Sequence, residues 1–124
     1  ADIVRFAADE PEVHRIMASE GSQLTPRLVW LCENVVRQPF DEFCVLVMAA
    51  QKEGSVRACD PEILRYAVIS IASVPPAVSS EVQYLTGKNP TARGWMSKTI
   101  ELIEDLVFGF KSPIRKLLSN TSRL

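Results

Sequence analysis

The placement of proline and glycine constrains this chain more than anything else in it. Six of its eight prolines sit where a helix begins. The first helical position tolerates proline because its missing N–H would have no intrahelical acceptor, and a small polar residue just before it can cap. Thr25-Pro26, Asp60-Pro61 and Ser112-Pro113 show the pair in full. Pro11 follows Asp9 and Glu10, and Pro75-Pro76 restarts a segment without a polar cap. Gly21, Gly54 and Gly87 each follow a periodic stretch, the position just past a helix end. This punctuation leaves no run that reads as a strand hairpin, and it predicts an all-α chain of six helices.

The first expected helix covers residues 1–8, with Ile3, Phe6 and Ala7 on one face. The second covers 11–20, with Val13, Ile16 and Met17 at i, i+3 and i+4. The third, 26–53, carries the stripe Leu28, Cys32, Val36, Phe40, Phe43, Val47 and Ala50. Pro39 lies inside that stripe and removes one backbone hydrogen bond, which predicts a kink there or two stacked helices. A fourth helix covers 61–74; its β-branched stretch suits a strand by propensity, but the cap-proline start and the length favour helix. It is apolar nearly all round, and such a helix needs cover on two sides. A short helix 75–86 carries Val78, Val82 and Leu85. The last, 91–110 with Thr91 as cap, carries the seam Met96, Thr99, Ile100, Ile103, Leu106, Val107 and Phe110, widened by Trp95 and Leu102. Beyond it, residues 111–124 hold Lys111, Arg115, Lys116 and Arg123 and no acid, and read as a loosely packed basic tail.

Composition narrows the function. The chain has 124 residues, enough for one domain, with 47% hydrophobic and 23% charged residues, close to the globular average. Fourteen basic against fifteen acidic residues give a formal charge of −1, which supplies no drive onto DNA or RNA by these residues alone. No stretch is long and apolar enough to suggest a membrane span or a signal segment. Cys32, Cys44 and Cys59 are widely spaced and odd in number, which predicts reduced thiols in a cytoplasmic protein. No phosphate-binding loop, dinucleotide motif or nucleophile motif is present, so neither an enzyme nor a cofactor is expected. Glu10, His14 and Glu20 could together hold a metal, but a solvated acidic turn with a surface histidine explains them more simply, and no metal site is assigned.

Two features call for function. Tyr66, Ser70 and Ser73 form a polar line along the apolar helix 61–74. Serines bonding back to the preceding turn, with Tyr66 at the surface, would account for it; so would a ligand pocket facing the kinked helix. In the pocket reading the lining is Met17, Val36, Phe40, Phe43, Cys44, Tyr66, Ser70 and Ser73. The second feature is the apolar excess of the last helices, explained either by one crowded core or by a two-fold interface with a second copy. The interface candidates are Val82, Leu85, Trp95, Ile100, Ile103, Val107 and Phe110.

Several segments together resemble a known family. Phe6-Ala7-Ala8-Asp9-Glu10-Pro11-Glu12, Glu20-Gly21 and Arg27-Leu28-Val29-Trp30-Leu31 are similar to the opening of the C-terminal regulatory domain of TetR-type transcriptional regulators. The likeness continues through Ala50-Gln51-Lys52-Glu53-Gly54-Ser55-Val56-Arg57, Asp60-Pro61 and Glu81-Val82-Gln83-Tyr84-Leu85-Thr86-Gly87-Lys88-Asn89-Pro90. It covers about residues 3–110. The resemblance implies a single antiparallel helical bundle that binds a small apolar or amphipathic effector between helices. It implies a homodimer formed through the last two main helices as a four-helix bundle. It also implies control of operator DNA by an N-terminal helix-turn-helix head. That head is missing from this sequence, which opens as helix interior without Met and reads as the body of a longer protein; DNA is a partner only through it. The alternative is a helical protein–protein interaction module with no small-molecule site.

Overall fold

The computed structural model describes residues 2–109, all of whose regular structure is helical. Ala1, Phe110 and the basic tail 111–124 lie outside the described residues. The helices are α1 (Asp2–Asp9), α2 (Pro11–Gly21), α3 (Pro26–Leu31), a π-helical segment (Cys32–Val36), α4 (Arg37–Lys52), α5 (Pro61–Ala77), α6 (Ser79–Thr86) and α7 (Arg93–Phe108). No single described helix is long and apolar enough to cross a membrane.

Two of the cap-proline starts form as their chemistry dictates. Thr25 accepts at its hydroxyl from the Leu28 N–H (3.1 Å), and Asp60 accepts at its carboxylate from the Glu62 N–H (2.9 Å). Each satisfies an N–H that the first turn leaves orphaned. Asp60→Ala is expected to lower the unfolding free energy by about 1 kcal/mol, read as a shift of the urea midpoint at unchanged slope. At Pro11 the preceding Glu10 makes no side-chain cap, and the chain enters α2 on proline alone. Gly54 and Gly87 turn the chain out of α4 and α6 at φ of 81° and 71°, a left-handed backbone that costs other residues energy. Gly21 instead stays within α2, which ends on Ser22.

Three expected boundaries move. The irregularity in the long helix lies one turn before Pro39. The Arg37 N–H reaches back five residues to the Cys32 carbonyl, a π winding just ahead of the proline. Pro75 and Pro76 end α5 rather than start a new helix. Their missing N–H groups fall in the last turn, which the Val78 N–H closes onto the carbonyls of Val74 (3.1 Å) and Pro75 (3.2 Å). The break comes at Val78, and α6 leaves at 77° to α5. Thr91 does not cap α7; its hydroxyl and its N–H both donate to the Asn89 side-chain oxygen (2.8 and 2.9 Å), and the helix begins at Arg93.

α5 is the element on which the others assemble. It packs against α1, α2, α4, α6 and α7. Ala72 forms one apolar cluster with Val4 and Ala7 of α1, covered by Met96, Ile100 and Ile103 of α7. Leu64 forms a second with Val47 of α4 and Val56 of the following loop, flanked by Phe43, Ala50, Val68 and Val107. The loop is pinned at both ends. The Arg57 N–H donates to the Val107 carbonyl (3.1 Å), and Gln51 Nε2 donates to the carbonyls of Arg57 (3.0 Å) and Cys59 (2.7 Å). At the α5–α6 elbow, Arg15 of α2 donates through Nε (3.1 Å) and Nη2 (2.5 Å) to the Ala77 carbonyl, and Glu12 pairs with the same guanidinium. α3 and the π segment behave differently, packing mainly on each other and on α4.

Candidate functional site

The expected pocket lining divides into two groups. Met17, Val36, Phe40, Phe43 and Cys44 are half-buried. Phe43 belongs to the second core cluster, so its ring is used in packing α4 to α5. On α5, Ser73 is buried, whereas Tyr66 and Ser70 are exposed. The three share one face of α5, as i, i+4 and i+7 positions do, and the line passes from surface to interior because the end of the helix near Ala72 is covered by α1 and α7. Tyr66 and Ser70 line an open groove of about 490 Å³ with Glu62, Ile63 and Ala67. One point joins the two groups: the Arg65 guanidinium carbon lies 5.1 Å from the centroid of Phe40 on α4 and 5.4 Å from that of Tyr66.

The interface candidates divide in a similar way. Ile100 and Ile103 pack on the Val4–Ala7–Ala72 cluster, and Val107 packs on the Leu64 cluster, so this side of the α7 seam serves the chain's own core. Trp95 and Val82 are half-buried, and Leu85 is 73% exposed. Phe110 lies outside the described residues. The outer face of α7 carries Trp95, Thr99 and Leu102, which line a second open groove of about 440 Å³ with Lys88, Asn89, Ala92 and Lys98.

Sequence reasoning missed two residues that the structure brings forward. Ile63 is 69% exposed on α5, on the same side as Ala67, Ser70 and Val74, all of them exposed. This is the second face of the doubly apolar helix, and within the chain nothing among the described residues covers it. The spacing 63, 67, 70, 74 is a helical stripe in its own right and could have been read as one. Arg65 carried no sequence signal, since a charged residue in an apolar helix reads as a solvent contact.

Other candidate chemistry does not assemble. No cluster of three or more His, Cys, Asp or Glu side chains able to hold a metal ion forms among the described residues. Cys32 and Cys44 are half-buried, Cys59 is exposed, and all three are free thiols. The Arg37 guanidinium is held further towards its charged form by its hydrogen bond to Glu33 (3.1 Å), by the charge of Glu33 and by that of Asp41. These are exposed i, i+4 pairs along the π–α4 junction and contribute little to stability. Comparisons with protein-family models, with curated proteins and with solved structures found no match.

Proposed function

We propose that these residues form the effector-binding and self-pairing domain of a TetR-type transcriptional regulator. The observation that carries this reading is the open apolar face of α5, Ile63, Ala67 and Val74, on a helix that packs directly against α7. Exposed apolar side chains in such a row mark an interaction surface. Together with α7, which packs on α5, the surface suits a two-fold pairing in which α5 and α7 of each copy make a four-helix bundle. The effector binds between the α3–π–α4 arm and α5, bounded by Met17, Val36, Phe40 and Tyr66. α3 and the π segment pack mainly on each other and on α4, so a ligand there can favour one position of α3 over another, which is what coupling to an operator-binding head requires. In this reading DNA contact belongs to a helix-turn-helix head N-terminal to the present residues.

Native mass spectrometry of the chain tests the reading. The expected result is an ion of twice the chain mass at micromolar concentration, with added small molecules retained at one per chain. A monomer across that range would favour the interaction-module alternative, in which the α5 face meets a different protein.

A further inference from the structure

Arg65 is the one described arginine that is withdrawn from solvent; the other described arginines are exposed. Arg15, Arg27 and Arg37 each face a carboxylate, on Glu12, Glu20 and Glu33. Arg65 makes no ion pair and no hydrogen bond among the described residues, and its contacts are the rings of Phe40 and Tyr66. Neither the acids nearest Arg65 in sequence nor the one beside Phe40 pairs with it: Asp60 caps α5, Glu62 is exposed on the rim of the Ile63 groove, and Asp41, next to Phe40, lies 3.9 Å from Arg37. A cation drawn partly out of water is normally paired with an anion. Here aromatic rings lie against it, and no described residue accepts from its N–H donors. A guanidinium packed on rings in this way presents its donor edge, whose fork matches the two oxygens of a carboxylate.

We propose that Arg65 binds the carboxylate of a small amphipathic acid, whose apolar part lies against Phe40 and the neighbouring wall of α4. This inference rests on the effector-binding reading above and names the chemical class of the effector. A singly charged head group suits the place better than a phosphate dianion, because Glu62 stands one turn away and Asp41 follows Phe40 in the chain.

Isothermal titration calorimetry with octanoate and with octanol separates this inference from the reading beneath it. The expected result is octanoate binding at least about tenfold tighter than octanol, at one per chain. Arg65→Gln is expected to abolish the preference, so that the variant binds octanoate no more tightly than octanol, and Arg65→Lys to retain part of it. Circular dichroism melting of each variant checks that the helices persist. Equal binding of acid and alcohol by the wild-type chain, or a preference that survives Arg65→Gln, overturns the carboxylate site and leaves the effector pocket standing. Binding of neither probe overturns both.

Discussion

Ile63→Glu is expected to convert the proposed dimer into a monomer of unchanged helix content. In the single chain Ile63 is 69% exposed, so a carboxylate there stays in water and costs the fold almost nothing. In the proposed pairing the same position is covered by a second copy. Two carboxylates brought near a two-fold axis would lose hydration and repel each other, a cost of several kcal/mol that no new contact offsets. Dimer dissociation should strengthen by more than about 100-fold, since each 1.4 kcal/mol is a factor of ten. Sedimentation velocity measures the change, and far-ultraviolet circular dichroism confirms that the helices remain. Leu46→Glu is the matched control: Leu46 is equally exposed but lies on α4, and its substitution should leave the dimer intact. If both variants dimerise like the wild type, the α5 face is not the contact.

The neighbouring residue gives the opposite result. Leu64 is 8% exposed and meets Val47 and Val56, with Val107 against the same cluster. Leu64→Ala would leave a cavity where α4, α5, α7 and the pinned loop converge, and is expected to cost about 3 kcal/mol. Against a total of roughly 5–15 kcal/mol for a domain, that is a large share. Urea unfolding at one fixed protein concentration reads it, the fixed concentration being needed because the proposed self-pairing would itself stabilise the folded chain. A loss below about 1 kcal/mol would mean that the site collapses around the smaller side chain. Adjacent positions on one helix thus separate association from folding.

Helix starts were plain at Thr25-Pro26 and Asp60-Pro61 because the cap is a local hydrogen bond. It was not plain at Thr91, where Asn89 two residues earlier takes the hydroxyl. The β-branched stretch from Val68 to Val74 is helical, as the cap and length required. Pro75 and Pro76 misled because a proline suits both the first turn of a helix and, at some cost in hydrogen bonds, the last. The α7 seam was legible as apolar, but not which part of it turns inward. Ile100 and Ile103 face α1 only because α5 brings the two helices together, and tertiary placement of that kind has no local signature. The candidate site was half legible. Phe40 and Tyr66 were singled out separately, one for its stripe and one for its polarity. The guanidinium that joins them was not, since its contacts cross between helices.

The π segment has a consequence for how the long arm tolerates change. A π turn holds about one residue more than an α turn, so the windings before and after Cys32–Val36 differ in phase by the equivalent of one residue, about 100°. Val29 and Trp30, both exposed, therefore point in a direction set by that surplus rather than by the stripe on α4 that packs against α5. The arm works as a rotary joint whose setting is written in chain length. Substitutions within 32–36 change what the joint displays, whereas a single insertion or deletion there would re-aim everything from Thr25 to Leu31 at once.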